Sequence, residues 1–243
     1  MSGRGESGAK RWAQRAAALL LALLPACAAE PRFAGGALPP ELLRRCEEFN
    51  GPRLYRSVPD VEGFVLRMDD EGGCGATCLT LLEHEPYRFV EQEMGHLPER
   101  RGGYPRGIVT EPGFYRFTRV VLGDPRCAAF EAYLDAEVRN NAYRGAKHPR
   151  LAPRPRFKDT CIASERIDGF AARYERETYT TRSDYDYGWI YTWFAIYRDR
   201  RSGEVLAEVR DHRYIARSDG RTRGCPAHAA DPAILHQVFL PKQ

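Results

Sequence analysis

The stretch Trp189–Ile215, WIYTWFAIYRDRRSGEVLAEVRDHRYI, predicts a β-hairpin and decides the fold class. Trp189 to Tyr197 is rich in aromatic and β-branched side chains, which suit a pleated surface. In a strand, Trp189, Tyr191, Trp193, Ala195 and Tyr197 point one way, and Ile190, Thr192, Phe194 and Ile196 the other. A strand apolar on both faces belongs inside a sheet, covered above and below. Arg200 to Gly203 supply the turn, with Gly203 free to take a positive φ. The return strand alternates Val205, Ala207 and Val209 against Leu206, Glu208 and Arg210. Phe170–Thr181 (FAARYERETYTT) reads as a further strand before the hairpin. Three consecutive strands predict an antiparallel C-terminal meander.

Working outward, the order is mostly strands with a few helices that do not alternate one for one. That pattern predicts an α+β fold with mostly antiparallel sheet, stabilised by disulfides. Pro39-Pro40 opens a helix over Glu41–Phe49, with Leu42, Leu43, Cys46 and Phe49 on one face. Leu54–Val58, Gly63–Met68 and Thr77–Leu82 are predicted as short strands, the first two joined by a Pro-Asp turn. Phe114–Leu122 is a stronger strand. The clearest helix has Asp124 as N-cap, Pro125 at its first position, and a stripe of Cys127, Phe130, Leu134 and Val138. Asp231–Val238 is a last short helix. The resulting organisation is a leader over 1–28, an N-terminal half over 29–144, a basic proline-rich connector over 145–158 and a C-terminal half over 159–243. Residues 29–243 also suffice as one domain of ordinary size.

The leader carries the most specific signal. Arg4, Lys10, Arg11 and Arg15 precede Ala16–Leu24 (AAALLLALL), an apolar core far short of the about 20 residues that span a bilayer. Pro25 and Ala26-Cys27-Ala28 complete a secretory signal with a small-x-small cleavage site. Its alternative is a lipoprotein signal, Leu24-Pro25-Ala26-Cys27, with Cys27 lipidated; Pro25 fits that pattern poorly. The expected location is periplasmic or extracellular, or lipid-anchored to the envelope if Cys27 is modified. No later segment approaches transmembrane length.

Four of the 37 basic and one of the 33 acidic residues lie in the leader, so its removal lowers the net charge from +4 to about +1. A chain so balanced has no electrostatic footprint for nucleic acid. Six cysteines remain: Cys46, Cys74, Cys78, Cys127, Cys161 and Cys225. An even set in an oxidising compartment reads as disulfides, which six cysteines can form in 15 ways. Cys161 and Cys225 bracket the meander and are the expected pair.

Catalytic signatures are missing from the sequence. It has no G-x-S-x-G elbow and no H-E-x-x-H, and His84-Glu85 lacks the second histidine. Cys74-Gly75-Ala76-Thr77-Cys78 has zinc-compatible spacing, with His84 and His96 following, but no second close pair, so a disulfide is the expectation and no metal or other cofactor. Cys127, at a helix start, would be an activated thiol only if unpaired. Lys147–Lys158 (KHPRLAPRPRFK) could touch anionic lipid or polymer, but a solvated connector explains it. The most ligand-like run is Asp184-Tyr185-Asp186-Tyr187-Gly188-Trp189. Carboxylates can hydrogen-bond sugar hydroxyls while rings stack on the apolar sugar face, so Asp184, Tyr185, Asp186, Tyr187 and Trp189 are candidate contacts for a glycan, peptide or envelope component. A solvated turn before a buried strand explains the same residues. The sequence therefore points to an exported binding or structural module. The rival is a secreted hydrolase assembled in three dimensions, for instance Asp184 or Asp186 with His212.

Overall fold

The doubly apolar strand at the heart of the chain needs cover on both sides, and the architecture supplies it. The structure, a computed structural model, describes residues 38–68, 73–84, 86–95, 107–109, 111–143, 159–225 and 231–242. The predicted leader with Cys27, the predicted basic connector, His96, His148 and His228 lie outside the described residues. The elements are α1 (Pro40–Glu48), β1 (Gly51–Leu54), β2 (Val58–Val61), β3 (Gly63–Met68), α2 (Ala76–His84), β4 (Phe89–Met94), β5 (Gly113–Val121), α3 (Ala128–Tyr143), β6 (Thr160–Ile167), β7 (Tyr174–Tyr185), β8 (Gly188–Asp199), β9 (Val205–Ala216), β10 (Thr222–Gly224), α4 (Asp231–Val238) and β11 (Phe239–Pro241).

Nine strands form one mixed sheet in the order β1-β9-β8-β7-β3-β4-β5-β6, with β10 alongside β9. Strands from both sides of the connector thus share one sheet. Most pairings are antiparallel, but β3 runs parallel to both β4 and β7. Those parallel pairings were not anticipated, because they join segments distant in sequence and leave no local turn signal. A second, two-stranded sheet pairs β11 parallel with β2.

One face of the large sheet carries the main core. Phe64 and Leu66 from β3, Val90 from β4, Phe117 from β5, Ala195 and Tyr197 from β8, and Val209 from β9 are buried there. Leu82 of α2, Phe130 of α3, Leu235 of α4 and Phe239 of β11 close it. A smaller cluster on the opposite face joins Leu42 of α1 to Ile190, Tyr214 and Ala216. The apolar character of β8 on both sides therefore has two separate causes.

Several local expectations are corrected. Thr77–Leu82, expected as a strand, lies within α2. Its Leu-rich composition suits a helix, and Cys74, just before the helix with φ 61°, folds back within bonding distance of Cys78 in its first turn. The strand expected over Leu54–Val58 is split between β1 and β2, and the expected Pro-Asp turn lies inside β2, where Asp60 takes φ 56°. Pro59 is tolerated because β2 belongs to a two-stranded sheet. Leu43 does not join Leu42 on the buried side of α1; it is 45% exposed. In contrast, Asp124 caps the turn before α3 by accepting from Arg126 N–H, and Cys127, Phe130 and Tyr133 are buried below it. The Arg126 guanidinium also holds the Asp124 carboxyl down, to about 2.

The six cysteines pair as Cys46–Cys225, Cys74–Cys78 and Cys127–Cys161. The expected Cys161–Cys225 bond is therefore wrong. Cys161 opens β6 beside the start of α3 and meets Cys127, whereas Cys225 follows β10 and meets α1.

Candidate functional site

The Asp184–Trp189 run closes the β7–β8 hairpin. Tyr185 and Gly188 are the last paired residues, with Asp186 and Tyr187 forming the two-residue turn. Gly188 is required here. It has φ +156°, and a Cβ would come 2.3 Å from the Ile215 carbonyl oxygen and 2.7 Å from the Tyr214 ring.

Strand alternation divides the run between two faces. Asp184 and Trp189 are cross-strand partners on the face away from α1. Tyr185 and Tyr187 pack with the cluster beneath α1, their rings stacked at 5.4 Å, and Tyr187 lies 6.0 Å from Tyr214. Asp186 is exposed at the turn. The five candidate residues are therefore not one site. Burial holds the Tyr187 and Tyr214 hydroxyls above their ordinary range, and Tyr214 donates to the Tyr187 carbonyl.

The Asp184–Trp189 face extends across four strands. One row is Asp184, Trp189, Ile215 and Thr222; the next is Arg182, Tyr191, Arg213 and Gly224; a third is Thr180, Trp193 and Asp211. Trp189, Tyr191 and Trp193, all half-buried, stand two residues apart along β8, about 7 Å between neighbours. Ion pairs flank them: Arg182 with Asp184 at 2.5 Å and Arg213 with Asp211 at 2.7 Å. The Arg182 guanidinium lies 4.7 Å from the Trp189 ring centre and 5.8 Å from that of Tyr191. Its bond to Asp184 raises its pKa further. The Trp189 indole N–H is shielded and has no hydrogen-bond partner among the described residues. The arrangement combines the aromatic surfaces of Trp189 and Tyr191, continued by Trp193 where the row meets the main core, with paired donors and acceptors and a charge balance near zero.

The chain matches no family model, no curated protein and no solved structure.

His212 cannot serve Asp184 or Asp186 as a catalytic partner. It is buried on the α1 side, with Nδ1 2.9 Å from Thr192 Oγ1 and Nε2 2.8 Å from the Phe49 carbonyl oxygen. A carbonyl only accepts, so Nε2 carries the proton, and Nδ1 takes the Thr192 hydroxyl hydrogen. Neither nitrogen is left for a substrate. Desolvation holds the His212 pKa below its ordinary value, and the Arg45 and Arg210 charges push the same way. Arg45 reaches from α1 to Thr192 Oγ1, Ser183 Oγ and Tyr185 OH while donating to Glu41. This side of the hairpin fastens α1 to the sheet.

Six of the seven cysteines are spent in disulfides, and Cys127 is therefore not a free thiol. Among the described residues no group of three or more His, Cys, Asp or Glu side chains could hold a metal ion, and no helix is long and apolar enough to cross a membrane. Strand alternation alone puts Trp189, Tyr191 and Trp193 on one face, but nothing local in the sequence places Arg182, Arg213 and Asp211 beside them. The available signal, the two-residue spacing of Arg182 to Asp184 and of Asp211 to Arg213, puts each pair on one face of its own strand only.

Proposed function

We propose that the protein is an exported, disulfide-stapled binding module that takes a glycan on the β7–β10 face. The observation that carries this reading is the aromatic row Trp189, Tyr191 and Trp193, flanked on both neighbouring strands by arginine–aspartate pairs. Pyranose rings offer apolar C–H faces to stack on aromatic rings and hydroxyls to bridge guanidinium and carboxylate groups. Arg182 would slide off Trp189 to admit a sugar ring. That displacement costs about 1 kcal/mol, the usual size of an exposed cation–π contact. The shielded indole N–H would then have a hydroxyl to donate to.

Export rests on the leader and on three disulfides, which suit an oxidising compartment. Intact mass of the protein from its native host tests this part. A chain beginning at Ala29 supports soluble export; a diacyl or triacyl adduct on Cys27 makes it an anchored lipoprotein; a retained leader refutes export.

Binding is tested by tryptophan fluorescence titration with soluble peptidoglycan fragments and chito-oligosaccharides. The expected result is a saturable change with at least one of them, weakened about tenfold by Tyr191→Ala, the loss of one good ring contact. Two flat titrations would refute a glycan role for this face.

A further inference from the structure

Beyond Thr178, the last β7 residue paired with β3, no strand among the described residues lies along the outer side of β7. Thr181 to Tyr185 form this edge, a length of about 17 Å. Thr181, Arg182 and Asp184 are exposed along it. The two-residue turn closes the hairpin at the Tyr185–Gly188 pair, so Tyr185, Ser183 and Thr181 direct their backbone groups to β8. Asp184 and Arg182 direct theirs outward.

Edges of this kind are ordinarily blunted by lysine, proline or a bulge. This one has none of these over Thr181–Tyr185, and its pairing with β8 runs without a register shift. Instead it reads Thr-Arg-Ser-Asp-Tyr, with opposite charges placed symmetrically about Ser183.

We infer that β7 pairs antiparallel with β7 of a second copy of this chain, about a two-fold axis at Ser183. In that register Arg182 of each copy stands opposite Asp184 of the other, on the same face, and the two residues exchange both backbone hydrogen bonds. Ser183 meets Ser183, and Thr181 meets Tyr185. The existing Arg182–Asp184 pair within each chain, with side chains 46% and 59% exposed, is free to rearrange into the intermolecular pairs. On the opposite face Arg45 approaches the axis from each copy, carrying its own counter-charge in Glu41. The dimer continues the sheet through both copies and sets their aromatic rows side by side. It stands on the edge geometry alone and does not depend on what those rows bind.

Charge reversal tests the register. Sedimentation velocity of the mature protein should show a concentration-dependent dimer. Arg182→Asp and Asp184→Arg should each be monomeric, since each places like charges opposite one another. An equimolar mixture of the two variants should dimerise again, because every opposing pair is then complementary, and R182D/D184R in one chain should restore the homodimer. A wild-type monomer at all concentrations, a dimer indifferent to either single reversal, or a mixture that stays monomeric would each overturn the inference. Hydrogen exchange of the wild type is the check free of mutation. The Arg182 and Asp184 amides should gain protection as concentration rises, and protection independent of concentration would count against pairing.

Discussion

The Cys46–Cys225 disulfide ties α1 to the segment after β10 and closes a loop of 179 residues. Cys225 is placed by β10, and its N–H donates to the His212 carbonyl at 3.3 Å; Cys46 belongs to a helix whose Leu42 is wholly buried against the sheet. Replacing both cysteines by alanine releases that constraint on the unfolded chain. Chain entropy puts the loss at about 5 kcal/mol for a loop this long. The two other disulfides lie inside the loop and shorten it, but the dependence is logarithmic, so they change the figure by a few tenths of a kcal/mol. A domain typically has about 5–15 kcal/mol in all, so the variant should be marginal. Urea denaturation of the wild type and the Cys46→Ala/Cys225→Ala variant measures this. The midpoint should fall steeply while the m-value rises, because the unfolded chain becomes more exposed. A loss below about 2 kcal/mol with an unchanged m-value would show that the unfolded state is held compact by something else.

Two further perturbations address the opposite ends of the sheet. His212 is held neutral by burial, so its folded-state pKa lies below the ordinary value. As pH falls below about 6.5, the unfolded chain binds a proton that the folded chain does not, and stability falls until the folded-state pKa is reached. Denaturation midpoints across that range should show the slope, and His212→Gln should remove it. Glu91 is fully buried and accepts from the Ala171 and Ala172 N–H groups at 2.9 Å each while pairing with Arg116 at 2.6 Å. Glu91→Ala strands all three donors and should cost about 3–5 kcal/mol in the same denaturation assay; a loss under about 1 kcal/mol, the level of an exposed pair, would show that the carboxylate does not anchor the crossing from β6 to β7.

What was legible in the sequence is local. The apolar run Trp189–Tyr197, the Arg200–Gly203 turn and the Asp124-Pro125 cap each report their own conformation through side-chain chemistry within a few residues. The parallel neighbours of β3 do not, because nothing near Gly63–Met68 encodes that Glu91 and Glu175 will flank it. The cysteine pairing failed for the same reason. Bracketing a sheet segment in sequence says nothing about which sulfur lies above it, and α1, more than a hundred residues earlier, covers that end. Thr77–Leu82 is ambiguous for a different reason: a short apolar run fits strand and helix alike, and length and flanking residues do not arbitrate here.

The candidate site shows why composition and placement must be separated. Asp184-Tyr185-Asp186-Tyr187 looks like one cluster of carboxylates and rings, yet a strand sends successive side chains to opposite faces. Tyr185 and Tyr187 hold α1, and only Asp184 and Trp189 look outward on the other side. The residues that complete the outward face, Arg182, Tyr191 and Arg213, are spread over three strands and 32 positions of sequence, brought into one row by register. A shift of that register by one residue would exchange the two faces, exposing Ile190 and Tyr214 and burying Arg182 and Asp184. The buried cluster under α1 therefore fixes which side chains the other face can offer. Binding chemistry on one side of β8 and the fastening of α1 on the other are two consequences of a single alternation.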